Sequence, residues 1–290
     1  MKLTKKSIKK IAVGIGITCL AGGTVIINET IPSISNSKAE IHFIDTGNSD
    51  AILILGEKNI LIDGGDNNDE EFLVSYIKNE NIDTLDYIIV THPHADHIGG
   101  LDNVIDEINV KKIYMPSRVH ETKTYNDLIE SIKNKNMLTE VPLENDEIKL
   151  GDFSYMRIYN TNGGHDINDE SLVTLFVNGE DKFLFTGDAH SETEIEILDL
   201  LEDVDVLKVG HHGSKTSTSD ELLDIVLPEY AVITVGEGNR YKHPNKVTMD
   251  KLNERNIEVH RSDECGDIIF TSTGEGVFTE CEDGSYNYRD

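Results

Sequence analysis

The chain has 290 residues, of which 38% are hydrophobic and 28% charged, and its formal net charge at pH 7 is −28. That length and composition suffice for a full hydrophobic core, which excludes a disordered chain or a small disulfide scaffold. Residues 1–39 contain six lysines and one glutamate, so residues 40–290 carry a formal net charge of −33. Acidity of this size repels nucleic acid at long range, and binding it would need a local basic track or metal ions. The simpler interpretation of this charge is that acidic surface residues keep the protein soluble.

Residues 1–39 predict an export signal or an N-terminal membrane anchor. Five lysines in the first ten residues precede a largely apolar run, Ile11 to Ile27, and a polar stretch follows it. The apolar run is intermediate in length between a signal core and a comfortable membrane span, so both possibilities stay open. In either case the lysines should remain cytoplasmic. We therefore expect an extracellular domain over residues 40–290, either secreted or anchored.

Apolar patterning predicts many short strands, with helices between several of them. The strand-like runs are Ile41 to Ile44, Ala51 to Leu55, Ile60 to Asp63, Tyr87 to Thr91, Lys112 to Met115, Phe153 to Tyr159, Leu172 to Val177, Lys182 to Thr186, Asp205 to Val209 and Tyr230 to Val235. The helical patterns are Glu70 to Lys78, Ile98 to Asp106, Tyr125 to Asn134, Ser191 to Leu201, Ser219 to Val226 and Pro244 to Arg255. Because the strands cluster early, two sheets with helices outside are favoured over one doubly wound sheet.

The densest group of metal-ligand side chains lies between a predicted strand and a predicted helix. It consists of His92, His94, Asp96 and His97, four ligands within six residues. Imidazole and carboxylate together suit zinc, manganese or iron. The alternating spacing lets His92 and His94 bind one ion while Asp96 and His97 turn toward a second. The sequence therefore predicts a dinuclear metal site on a strand-to-helix turn.

Three later motifs also follow predicted strands or begin a helix. Asp188 ends the segment Thr-Gly-Asp and could bridge two cations, although a helix cap would also explain it. For the adjacent pair His211 and His212, we expect one to bind metal and the other to face substrate. His243 could donate a hydrogen bond to an anionic oxygen, although a structural cap would also explain it.

Two cysteines, Cys265 and Cys281, remain in the exported part and flank two short predicted strands. In an oxidising compartment they could close this hairpin by a disulfide, or they could be buried and unpaired. Neither has the neighbours expected of a nucleophile.

The order of motifs HxHxDH, TGDA, HHGS and HPN resembles the metallo-beta-lactamase superfamily, most closely its ComEC-like metallo-hydrolases. That branch is named after the extracellular domain of a competence DNA-uptake protein. The resemblance covers roughly residues 40–280. It also includes the segments His42 to Ala51, Leu61 to Gly65, Asn168 to Val173 and Arg261 to Ile268.

The resemblance implies an α/β fold, a four-layer αββα sandwich, with two divalent metal ions, zinc or manganese. His92 and His94 would hold one ion, Asp96 and His97 the other, and Asp188 would bridge them. The second site would be completed by His211 or His212, between which the sequence does not choose.

Supporting residues are implied as well. Asp63 is similar to a buried aspartate that orients the histidine loop, and Asp50 in the opening turn also faces the site by this likeness. Many members supply a third histidine to the first metal, where this chain has Asn168-Asp-Glu. His165 lies a few residues upstream and is a candidate replacement.

The implied reaction is hydrolysis by a hydroxide that two cations share, and the candidate catalytic residues are Asp96, His211, His212 and His243. A phosphoester is the favoured substrate because ComEC-like domains resemble phosphodiesterases and because His243, Ser214 and Lys215 offer donors to anionic oxygens. DNA is the substrate that the resemblance implies, whereas a phosphorylcholine or teichoic-acid group of the cell envelope fits the acidic surface equally well. Hydrolysis of beta-lactams and a non-catalytic metal-binding role also stay open. No protein partner can be inferred.

Overall fold

The computed structural model describes residues 37–159, 164 and 166–288. The predicted export signal or anchor therefore lies outside the described residues, apart from its last three positions. Within the described part of the chain, no helix combines the length and the apolar character that crossing a membrane requires.

Eight strands form the first sheet among the described residues. In chain order they are β1 (Ala39–Phe43), β2 (Ile52–Leu55), β3 (Ile60–Ile62), β4 (Thr84–Ile89), β5 (Asn109–Tyr114), β6 (Thr139–Glu140), β14 (Ile268–Ser272) and β15 (Val277–Thr279). Their spatial order is β15-β14-β1-β2-β3-β4-β5-β6. Strands β3 to β6 pair in parallel, and the others pair antiparallel.

The second sheet has seven described strands. They are β7 (Asp146–Lys149), β8 (Ser154–Tyr159), β9 (Val173–Asn178), β10 (Asp181–Phe185), β11 (Val206–Lys208), β12 (Tyr230–Ile233) and β13 (Glu258–Arg261). Their spatial order is β13-β12-β11-β10-β9-β8-β7, and β10 to β13 are parallel. Each sheet thus has a parallel half, whose carboxyl ends can gather functional loops.

Helices cover the outer face of each sheet. They are α1 (Glu70–Asn79), α2 (Ala95–Ile98), α3 (Leu101–Glu107), α4 (Lys123–Asn134), α5 (Ser191–Glu196), α6 (Asp220–Val226), α7 (Lys246–Glu254) and α8 (Ser262–Cys265). Leu73 of α1 and Leu128 of α4 belong to the core of the first sheet, and Leu223 of α6 and Leu252 of α7 belong to that of the second.

The strands alternate between two apolar cores, as the two-residue period of a strand requires. In β10, Phe183 and Phe185 join the core between the sheets, while Leu184 joins the core beneath the helices. In the same inter-sheet core, Phe43 lies with its ring centroid 6.0 Å from that of Phe185 and 6.2 Å from that of Phe270. The predicted four-layer αββα sandwich is confirmed.

Several elements differ from the sequence predictions. Strands β6 and β7 were not predicted, and the helix predicted over Ile98 to Asp106 is α3, which begins at Leu101. The predicted helix Ser191 to Leu201 is shorter, since α5 ends at Glu196 and a 3-10 turn, Leu198–Leu200, follows. Strand β13 was not predicted, because its sequence Glu-Val-His-Arg lacks apolar alternation. It is nevertheless largely buried, because β12 pairs with it in parallel. Cys265 and Cys281 form a disulfide that closes the β14–β15 hairpin, with their Cα atoms 6.1 Å apart.

Candidate metal centre

The predicted ligands follow the carboxyl ends of parallel strands, and the fold brings them together at one edge of the sandwich. His92 and His94 come after β4, which ends at Ile89. Asp188 follows β10, and the pair His211 and His212 follows β11. Residues far apart in sequence therefore meet because strands of both sheets end at this same edge of the sandwich.

Asp188 lies at the middle of the group and is almost fully buried. Its Oδ1 lies 3.3 Å from Nε2 of His97 and 3.9 Å from Nε2 of His212. Its Oδ2 lies 3.5 Å from Nε2 of His211 and 4.0 Å from Nε2 of His92. One carboxylate thus faces two separate sets of imidazoles, one with each oxygen.

One set, which we call the second set, consists of Asp96, His97 and His212. Together with Asp188, each offers one ligand atom, and these atoms all lie within 4.8 Å of one another. Oδ2 of Asp96 lies 3.7 Å from Nε2 of His212. Burial by itself would raise the pKa of Asp96, but the nearby imidazole of His212 and the charge of His97 hold that pKa well below its usual range. Asp96 is therefore ionised, as a metal ligand must be.

On the Oδ2 side of Asp188, His92 also contacts His94, and we call these two residues the first set. His211 lies on the same side of Asp188 but is not included in this set. Nε2 of His92 lies 3.0 Å from Nδ1 of His94. Burial, assisted by the charge of His97, lowers the pKa of His92 well below its ordinary value. His92 is thus a neutral imidazole, the form that binds metal.

Divalent cations fit the second set. Nε2 of His97, Nε2 of His212 and Oδ1 of Asp188 are buried and make no hydrogen bond with any described residue. Orphaned buried polar atoms are costly, and a cation among them would satisfy all three. The mixture of imidazole and carboxylate is the donor set expected for zinc, manganese or iron.

Two hydrogen bonds fix the rings of the second set from behind. Oδ2 of Asp63 lies 2.8 Å from Nδ1 of His97, and the carbonyl of Thr234 lies 2.9 Å from Nδ1 of His212. Asp63 is itself held by Thr91, whose backbone N–H and hydroxyl donate to it over 2.8 and 2.6 Å. Partners of this kind orient the imidazole so that Nε2 faces the metal.

Asp50 lies beneath the second set in contact with a residue that the sequence patterns did not indicate, Lys208. Nζ of Lys208 is 2.5 Å from Oδ2 of Asp50, and both side chains are buried. The Thr234 hydroxyl donates to Oδ1 of Asp50 over 2.5 Å, and the Asp50 N–H donates to the Asp96 carbonyl over 3.0 Å. Burial would raise the pKa of Asp50, but the Lys208 charge lowers it. The only signal in the sequence was a lysine within an apolar strand.

Asn168, the first residue of the segment Asn168-Asp-Glu, lies beside the site. Its Nδ2 is 3.4 Å from Nδ1 of His211 and 3.4 Å from Nε2 of His190. His190 was not predicted from the sequence either, and its Nδ1 lies 3.0 Å from Oδ1 of Asp169. His165, the predicted replacement, lies outside the described residues.

A cleft of about 800 Å³ opens onto the ligands. The described residues that line it are Thr46, Asn48, Ser49, Asp66, Asn68, Asp69, His94, Ala95, Asp96, Asn168, Asp188, His211, His212, Asn239, Arg240, Tyr241 and His243. The predicted donors Ser214 and Lys215 are not among them. Instead, the Ser214 hydroxyl lies 3.0 Å from that of Thr216.

His243 lines the cleft as a neutral imidazole. Its ring centroid is 5.6 Å from that of His211. Burial, assisted by the charge of His212, lowers the pKa of His243 to about 4. Its buried Nδ1 has no hydrogen-bond partner among the described residues. At neutral pH His243 can therefore offer an N–H to a bound group without carrying charge.

Residues 44–237 match the sequence model of the metallo-beta-lactamase superfamily. The chain belongs to this superfamily of metal-dependent hydrolases, as its motifs predicted.

The curated relatives include competence proteins. The chain is 27% identical to ComE operon protein 3 of Bacillus subtilis over 93% of its own length and 37% of that protein. It is 29% identical to Recombination protein 2 of Haemophilus influenzae, over 81% of the chain and 29% of that protein. It is 26% identical to the competence protein ComA of Neisseria gonorrhoeae, over 90% of the chain and 36% of that protein. The chain thus spans about a third of the length of these relatives.

Solved structures share the fold. The metallo-beta-lactamase fold protein YhfI from Bacillus subtilis superimposes with a TM-score of 0.55 at 12% identity, over 81% of this chain and all of that one. CmlA, a diiron beta-hydroxylase from Streptomyces venezuelae, superimposes with a TM-score of 0.50 at 14% identity, over 76% of this chain and 51% of that one. A hydroxylase with this fold shows that the fold alone does not fix the reaction.

Proposed function

We propose that this protein is an extracellular phosphodiesterase of the nuclease type that uses two divalent ions, zinc or manganese. The observation that carries the proposal is Asp188, whose two oxygens face different ligand sets. When bound, the two ions would lower the pKa of a water molecule and neutralise charge on the attacked phosphorus centre.

The residues divide between binding metal and binding substrate. We assign His92 and His94 to one ion, the second set to the other, and Asp188 to both. His212 is the ligand of the adjacent pair, because its Nε2 lies within the second set while Thr234 fixes its other nitrogen.

His211 and His243 are assigned to the substrate. His211 is partly exposed and both residues line the cleft. Burial lowers the pKa of each, so both are neutral at pH 7. As neutral donors they can hydrogen-bond phosphoryl oxygens without competing with the cations for them.

The phosphodiester assignment rests on the similarity to competence and recombination proteins, which extends over most of this chain. The extracellular assignment rests on the lysine-rich and apolar start of the sequence and on the disulfide between Cys265 and Cys281. Disulfides persist in oxidising compartments and are rare in the cytosol. The N-terminal segment would provide the membrane contact if it is retained.

A second candidate substrate is a small phosphodiester of the cell envelope. The acidic surface and the carboxylates of Asp66 and Asp69 in the cleft favour it, because they disfavour a long polyanion.

The test is hydrolysis of bis-p-nitrophenyl phosphate by the full chain in mild detergent, with zinc and with manganese. We expect metal-dependent turnover that is lost in His94→Ala and Asp188→Ala. Asp199→Ala is the matched control, because Asp199 is exposed and does not line the cleft. Bound metal without turnover in the unsubstituted chain would refute the proposal and direct attention to lactams or to a non-catalytic role.

A further inference from the structure

Three aromatic rings in contact, those of His211, His243 and Tyr241, form a row that leads from the metal centre to the exposed end of the cleft. His211, whose Nε2 lies 3.5 Å from Asp188, has its ring 5.6 Å from that of His243. The His243 ring in turn stacks on Tyr241, with the centroids 5.7 Å apart and an angle of 24° between the planes. The Arg240 guanidinium lies 4.7 Å from the centroid of the Tyr241 ring. The row of rings thus ends at the positively charged side chain of Arg240.

Tyr241 holds this cation in place and still offers surface of its own. Arg240 donates from Nη2 to the Tyr241 hydroxyl over 2.5 Å, in addition to the contact with the ring. Cation–π contact and a hydrogen bond together restrict a side chain that would otherwise be free in solvent. Tyr241 remains 52% exposed. A half-exposed aromatic ring and a guanidinium therefore lie side by side in the cleft lining.

The charges in the cleft limit what can bind there. Arg240 is the only lysine or arginine among the described residues that line the cleft, and Asp66 and Asp69 line it too. Duplex DNA presents a charge every 1.7 Å or so, and proteins bind it through many phosphate contacts. A single-stranded chain can instead be held by one cation and by stacking of its bases on aromatic rings.

We propose that Arg240 and Tyr241 form a subsite for one nucleotide of a single-stranded nucleic acid, next to the scissile phosphate. This inference rests on the proposed phosphodiesterase function. Arg240 binds the neighbouring phosphate, for which a guanidinium has matching bidentate geometry. The base stacks on the exposed part of Tyr241. The protein then binds single-stranded nucleic acid in preference to duplex.

The experiment measures equilibrium binding of a fluorescently labelled, phosphorothioate-linked oligothymidylate to the manganese-loaded full chain. Fluorescence anisotropy is recorded for the single strand and for the same strand annealed to its complement. Arg240→Gln is matched by Lys242→Gln, which removes the same charge two residues away and outside the cleft lining. Tyr241→Leu is matched by Phe278→Leu, an aromatic residue of similar exposure on β15.

We expect the single strand to bind more tightly than the duplex. Arg240→Gln should weaken single-strand binding about tenfold or more, since hydrogen bonds to charged groups are strong. Tyr241→Leu should weaken it roughly five- to tenfold, in line with the loss of one base stack. Both controls should stay within about twofold, and Arg240→Lys should recover part of the loss.

Equal losses in Arg240→Gln and Lys242→Gln would overturn the subsite, because the effect would then be one of general charge. Equal affinity for the two DNA forms, or no binding of either, would also overturn it. Turnover of bis-p-nitrophenyl phosphate by the same preparations separates the two proposals. Selective binding without turnover refutes the phosphodiesterase and leaves the subsite, whereas turnover without selective binding does the reverse.

Discussion

The two ligand sets are supported very differently. His97 and His212 of the second set are each fixed from behind, by the Asp63 carboxylate at 2.8 Å and the Thr234 carbonyl at 2.9 Å. Among the described residues, His92 of the first set has only hydroxyl neighbours at its Nδ1, Thr91 at 3.1 Å and Ser171 at 3.4 Å.

Exposure does not separate the two sets. Each has one partly exposed member, His94 in the first set and Asp96 in the second, and the imidazoles of His92, His97 and His212 are buried. Ligands whose second ring nitrogen is held by a close hydrogen-bond acceptor keep their geometry without metal, whereas loosely held ligands must be ordered by the metal. We therefore expect the ion at the second set to bind more tightly than the ion at the first set.

Removing Asp188, the ligand that both sets share, should abolish the expected difference in metal affinity between the two sets. Asp188→Asn retains the shape of the side chain but removes the charge that both sets face. We expect kcat for bis-p-nitrophenyl phosphate to fall by roughly a thousandfold, because metal stabilisation of the transition state contributes several kcal/mol. Metal content measured by mass spectrometry should fall toward one ion or none. Two tightly bound ions in this variant would contradict a bridging role.

The buried ion pair between Lys208 and Asp50, which lies next to the second set, can be removed by substitution. Lys208→Met leaves the buried Asp50 carboxylate without its cation. Breaking a buried pair costs about 3–5 kcal/mol, so denaturant unfolding should show a loss of that size. The double variant Asp50→Asn with Lys208→Met should recover much of it, because no uncompensated charge remains. An equal or greater loss in the double variant would argue that packing, not the ion pair, is responsible.

The comparison between the sets is sharpened by removing one supporting group from each. Asp63→Asn should weaken binding of one manganese ion by about 10–100-fold, the usual effect of losing such a partner. Ser171→Ala, on the side of the first set, should change manganese affinity less, because the Ser171 hydroxyl lies 3.4 Å from His92. Calorimetric titration with manganese resolves the two effects. If Ser171→Ala has the larger one, the assignment of the stronger site is wrong.

The smallest expected effect is on the pH dependence of the protein's stability. Burial lowers the pKa of His243 to about 4 in the folded protein, below that of an unfolded histidine. Its contribution to stability is therefore complete above about pH 6.5 and is lost as the pH falls toward 4. Over this interval the melting temperature of the unsubstituted metal-free chain should fall about 3 °C further than that of His243→Asn. Parallel curves would show that His243 does not titrate as described.

Much of this molecule could be predicted from the sequence, because the information is local. The strand before His92 and the ligand spacing within residues 92–97 lie in one short segment. The alternation in β10 likewise places Phe183 and Phe185 on one face. The missing strand β13 shows the limit, since Glu258 to Arg261 becomes a strand through pairing with β12 and not through its own pattern.

The sequence by itself determined the family, the two-sheet class and the identity of the candidate ligands, since motif order and residue type are properties of the chain. Only the tertiary structure decided which atoms face one another. It brought His212, and not His211, into the second set, and it paired Lys208 with Asp50. It also placed Arg240, and not Lys215, in the lining of the cleft. The physical reason is that these contacts join the ends of strands distant in sequence, and their geometry exists only when the two sheets have packed.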